Sequence, residues 1–143
     1  MWGIIIALIS GALMSIQGVF NTAVTKSSCM WVSNTWVQFT ALIVCIGGWF
    51  IAGRESFGAL MKVEPKYMLL GGVIGAFITF TVIKSMSVLG PAKAVMLIVV
   101  AQLLVAYLIE VFGLFGVEKV AFVWKKLIGM VLAIAGIIIF KWE

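Results

Sequence analysis

Residues 92–115 read AKAVMLIVVAQLLVAYLIEVFGLF, and no residue from Ala94 to Ile109 carries a charge. A helix rises about 1.5 Å per residue, so a stretch of this length crosses the ~30 Å hydrocarbon layer of a bilayer. Four other apolar stretches frame it, at about 2–24, 31–52, 67–89 and 122–140. Water is absent from the bilayer core, so each crossing segment must satisfy its backbone internally, and a helix does so. The sequence predicts an all-α membrane protein: one transmembrane domain over 1–143, with five helices.

Composition leads to the same class. Of 143 residues, 64% are hydrophobic and 10% charged, with mean hydropathy +1.26. A soluble domain carries roughly 25% charged residues, because its surface must be solvated by water. Lipid must therefore cover most of this chain. The first apolar run begins at Trp2 without a basic region before it or a small-residue cleavage site after it, and reads as a retained helix.

The connections are short. Thr25-Lys26-Ser27-Ser28 closes the first run, and Gly53-Arg54-Glu55-Ser56 closes the second. A hydrophilic link to Lys66 follows, and Gly90-Pro91 breaks the third run from the fourth as a tight turn. Trp2, Trp31, Trp49, Trp124 and Trp142 fall near predicted ends, as an interfacial aromatic belt requires, and Trp36 lies deeper.

The net charge is +5. The basic residues lie singly or in pairs beside apolar runs, where membrane lipid is the nearer partner, so nucleic acid is not expected. Five spans put Arg54, Lys62, Lys66, Lys119, Lys125 and Lys126 on one side and Lys26, Lys84, Lys93 and Lys141 on the other. That bias is weak, and weak bias implies insertion in both orientations.

Small residues mark helix faces suited to close packing. They are Gly11, Ser15, Gly18 and Thr22 on the first helix, Gly71 and Gly75 on the third, and Gly129, Ala133 and Gly136 on the fifth. Polar side chains inside the spans are costly unless paired. Gln17 and Asn21 share a face of the first helix, Asn34 and Gln38 a face of the second, and Gln102 lies near the middle of the fourth. Such amides either hydrogen-bond helices together or line a polar cavity, and five in so small a bundle favour the cavity. Trp36 either faces lipid or offers a ring to a substrate. Lys84 lies about one turn inside the end of its helix, within snorkelling reach of headgroups, and Glu110 is about one turn from its helix end.

Catalysis has little material. The chain has no His, so neither a Ser-His-Asp nor a Cys-His arrangement exists, and a Cys/His zinc site is excluded. Cys29 and Cys45 fall at an interface and inside a span, which disfavours a disulfide between them. The carboxylates Glu55, Glu64, Glu110, Glu118 and Glu143 form no acid/base pair by spacing, and there is no phosphate-binding loop signature. No enzyme activity, cofactor or metal is expected.

The run Gly11-Ala12-Leu13-Met14-Ser15-Ile16-Gln17 with Asn21 resembles the first helix of the small YdcZ-like proteins of the bacterial drug/metabolite transporter superfamily. Leu89-Gly90-Pro91-Ala92, Ala101-Gln102-Leu103 and the stretch from Ile109 to Gly116 resemble the same family. Two departures stand out: Glu110 occupies a position where the family commonly has Asp, and Val111 one where it commonly has His. The resemblance implies an inner-membrane protein with a transporter-type fold. Larger superfamily members join two five-helix halves of inverted topology. A free five-helix unit would rebuild that arrangement as an antiparallel dimer of ten helices, either a homodimer or a heterodimer with a paralogue.

The expected function is secondary transport of a small polar or weakly charged organic solute, as a small-molecule substrate bound at a midplane cavity between subunits. Gln17, Asn21, Asn34, Trp36, Gln38 and Gln102 are its candidate binding residues. Glu110 and Lys84 are candidates for coupling or gating, with Glu110 of one chain level with Lys84 and Lys93 of an inverted partner. The alternative is a small non-transporting membrane subunit packed against a larger partner through its glycine stripes.

Overall fold

The structure is a computed structural model that describes residues 1–141; Trp142 and Glu143, expected as a belt tryptophan and a carboxylate, lie outside the described residues. Every regular element among the described residues is helical. The α-helices are α1 (Trp2–Ser27), α2 (Met30–Ala52), α3 (Gly71–Leu89), α4 (Pro91–Phe112) and α5 (Trp124–Lys141). Four segments, Trp2–Ser27, Met30–Ala52, Lys66–Leu89 and Pro91–Phe112, are long and apolar enough to cross a membrane. The fifth helix has 18 residues, with Lys125 and Lys126 in its first turn and Lys141 at its end.

Several helix ends differ from their expected positions, each for a local reason. The first helix runs on through Thr25-Lys26-Ser27. Thr25 Oγ1 donates to the Asn21 carbonyl at 2.8 Å and Ser28 Oγ to the Val24 carbonyl at 2.8 Å, so polar side chains serve the last turn instead of ending it. The third begins as a 3-10 turn, Lys66–Leu70, before its α-helical part. The fourth stops at Phe112, because Gly113 takes a left-handed conformation (φ 64°, ψ 38°) that closes a helix at little cost only for glycine. The fifth starts at Trp124, since Val123 is tied by both backbone groups to the Tyr107 hydroxyl.

The chain forms two compact units, one from Met1 to Val88 and one from Leu89 onward. In the first, Gly18 and Asn21 of α1, Ser33 and Asn34 of α2, and Ile83 and Met86 of α3 are buried. Gly18 is a point of close approach between α1 and α3: a Cβ there would run into the Met86 thioether, with Val82 beside it. Trp31 of α2 packs on Phe80 of α3, with ring centroids 4.9 Å apart. The hydrophilic link after α2 carries a 3-10 turn, Phe57–Lys62, where Ser56 Oγ accepts from the Gly58 N–H. Trp49 is anchored to this link, its indole N–H donating to the Glu55 carbonyl at 2.8 Å.

In the second unit, Gly90 (φ 81°) precedes Pro91 at the first position of α4, where proline's missing N–H is no loss. Beyond α4, the Val120 N–H donates to the Glu110 carbonyl at 2.9 Å and holds the link to α5 against the end of α4.

Candidate functional site

Of the five predicted amides, Asn34 and Gln38 hydrogen-bond between helices of the first unit, and Asn21 is buried there. Asn34 Nδ2 donates to the Ala76 carbonyl at 3.2 Å, and Gln38 Nε2 donates to Thr79 Oγ1 at 3.2 Å, so both link α2 to α3. Thr79 passes its own proton to the Gly75 carbonyl at 3.0 Å. Ser33 Oγ donates to the Asn21 carbonyl at 3.0 Å, linking α2 to α1. Asn21 is 7% exposed and Asn34 4%. The Asn34 side-chain oxygen is buried and accepts no hydrogen bond. Exchanging its amide ends would set one oxygen against the Ala76 carbonyl, so this orientation is the only one that keeps the bond to α3.

Gln17 stands apart from this cluster. It is exposed and, with Ser10, Met14 and Asn21, lines an open groove of about 520 Å³ along α1. Asn21 therefore belongs to both features, buried against α2 and bordering the groove. Trp36 lies on an outer face of α2 beside Phe39, with ring centroids 6.1 Å apart, and is 58% exposed. Lys84 is exposed on α3.

The other candidates are in the second unit. Gln102 is exposed on α4. Glu110 has a partner in its own chain: its Oε2 lies 3.0 Å from Lys126 Nζ, with the side chains 43% and 46% exposed. The Lys126 ammonium also stands over the Tyr107 ring, 5.5 Å from its centroid. Tyr107 is buried, and its hydroxyl accepts from the Val123 N–H at 3.0 Å. This Glu110–Lys126 pair is the arrangement present within one chain; the expectation concerned Lys84 and Lys93 of a partner.

Sequence reasoning missed Ser33, Thr79, Tyr107 and Lys126. Ser33 adjoins Asn34, and Tyr107 precedes Glu110 by three positions, a spacing that shares a helix face. Those were usable signals. Nothing in the sequence singled out Thr79 among the hydroxyl residues of the third span, and Lys126 read only as one of two lysines at a helix start.

A family model described as "Putative inner membrane exporter, YdcZ" matches residues 2–139. No curated protein and no solved structure matches the chain. The match covers α1 to α4 and all but the last two residues of α5, and its description agrees with the long apolar helices seen here. The chain belongs to the YdcZ family: it is a multi-pass protein of the inner membrane with a role in transport.

Proposed function

We propose that the chain is a secondary transporter of a small polar or weakly charged organic solute, and that it works as an antiparallel dimer of ten helices with a cavity at the subunit interface. The observation that carries this reading is the exposure of Gln17 and Gln102. Gln17 is about 22 Å along α1 from Trp2, and Gln102 about 16 Å along α4 from Pro91, so both are deep in their spans. An amide facing hydrocarbon without a partner costs several kcal/mol. A second copy that encloses these amides with water or solute removes that cost.

Two further features support pairing. A Cβ built on Gly11, Gly71 or Gly75 meets nothing within 4 Å among the described residues, so these small-residue faces are open to a second copy. Inverted-repeat carriers set their sites near the midplane, and an amide deep in its own span suits such a site. Neutral amides recognise polar groups by hydrogen bonds and need no counter-charge, which favours weakly charged solutes. The chain moves its solute without chemistry upon it and without a metal or cofactor.

The test combines orientation with proximity. Cys29 and Cys45 are both exposed free thiols, so each is replaced by Ser and a single Gln17→Cys is introduced. Reporters at both termini reading both sides of the membrane, with an oxidised Gln17→Cys dimer, are the expected result. A single orientation requires a paralogue of opposite topology, and without one it ends the antiparallel reading. A chain stable only in complex with a larger membrane protein returns the small-subunit alternative.

A further inference from the structure

The second unit carries a polar mouth that opens onto an apolar groove. Glu110 lies two residues before the end of α4, and Lys126 is the third residue of α5. Both therefore stand at headgroup depth, beside Trp124, which is 70% exposed. From this pair a groove of about 380 Å³ runs between α4 and α5, bordered by Leu103, Gly129 and Met130. Leu103 is about 10 Å deeper along α4 than Glu110, and Met130 about 6 Å deeper along α5 than Lys126. The mouth is charged and the floor is apolar.

We propose that this groove is a binding site for one phospholipid with a primary-amine zwitterionic headgroup, phosphatidylethanolamine. The headgroup opens the Glu110–Lys126 pair and replaces each partner. Its ammonium donates to the Glu110 carboxylate and takes the place over the Tyr107 ring that Lys126 Nζ now holds. Its phosphate receives Lys126, and one acyl chain lies along Leu103 and Met130. An ion pair with both members more than two-fifths exposed is weak and opens readily. A ligand with a single charge would strand either Glu110 or Lys126, whereas a zwitterion satisfies both. The carboxylate also selects among zwitterions, because a primary ammonium brings N–H donors and a trimethylammonium brings none.

The experiment is native mass spectrometry of the purified full chain after exchange into equal amounts of phosphatidylethanolamine, phosphatidylcholine and phosphatidylglycerol with matched acyl chains. Preferential retention of phosphatidylethanolamine by about tenfold is expected, the effect of one charge-assisted hydrogen bond. Glu110→Gln is expected to abolish the preference. Gly129→Leu, which projects into open space and fills the groove, is expected to lower retention of all three lipids. Equal retention of the three lipids overturns the proposal. So does a phosphatidylglycerol preference that survives Glu110→Gln, since that would be a basic patch alone. A Gly129→Leu chain that shifts from dimer to monomer with its lipid count unchanged also overturns it, because a second copy then covers the groove. If Gly129→Leu does not fold, the Glu110→Gln comparison decides. Lipid retention is read without transport, so it stands or falls separately from the transport reading.

Discussion

Asn34 of α2 donates its amide hydrogen to the Ala76 carbonyl of α3 at 3.2 Å, while its own oxygen stays buried and unpaired. A made bond contributes about 0.5–1.5 kcal/mol, and an orphaned buried acceptor costs about 1–3 kcal/mol. The cost is at least as large as the gain. Asn34 is therefore a poor device for stability, which fits the substrate-facing role proposed for it above.

Asn34→Leu is accordingly expected to unfold within about 1 kcal/mol of wild type, measured by denaturant titration in micelles, and to lose most of its solute flux in proteoliposomes. A large loss of stability with flux retained per folded molecule would make Asn34 a structural residue only.

Gly18 is the position where α1 meets the buried Met86 side chain. Gly18→Ala is expected to cost about 1–3 kcal/mol through overpacking. Because the obstructing atoms are the flexible end of Met86, pairing Gly18→Ala with Met86→Ala should recover part of that loss. Additive losses in the double variant would place the fault elsewhere.

Tyr107 closes the start of α5 by accepting from the Val123 N–H at 3.0 Å. Tyr107→Phe leaves that part-buried N–H without its acceptor, at a cost of about 1–3 kcal/mol. Limited proteolysis should then cut the Val117–Val123 link at least several times faster, while cleavage after α2 stays at the wild-type rate. Unchanged cleavage would mean that the hydroxyl does not hold the link.

Glu110 and Lys126 are half-exposed, so Glu110→Gln is expected to change stability by less than about 1 kcal/mol. The double-mutant cycle with Lys126→Gln, measured by the same titration, should give a coupling of that size and lose it in high salt. A coupling of several kcal/mol would show that the pair is shielded from solvent.

The helices were legible because lipid as solvent imposes one simple requirement, a long uncharged stretch such as Ala94 to Ile109. Their ends were less so. Thr25 and Ser28 read as a break because hydroxyl residues usually leave helices, whereas here their side chains bond back to the preceding turn. Asn34 and Gln38 were found as a polar pair on one face, but their partners were hidden. One partner is a backbone carbonyl, at Ala76, and no residue type announces a carbonyl. Glu110 was visible as an acid near a helix end. Its pairing with Lys126 depends on the Gly113 reversal and on the fold of the link, which the sequence pattern does not encode at that precision.

The helices also differ in length within a single chain. At about 1.5 Å per residue, the 26 residues of α1 reach about 39 Å and the 18 of α5 about 27 Å. One exceeds the hydrocarbon thickness and the other falls short, so no uniform bilayer suits both. The long helix must lean or project, and in the five-span arrangement proposed above the short one, which starts with Trp124, Lys125 and Lys126, draws the lipid surfaces together around it. Acyl-chain length in the surrounding membrane thus becomes a mechanical load on this protein, felt in opposite senses by its longest and shortest helices.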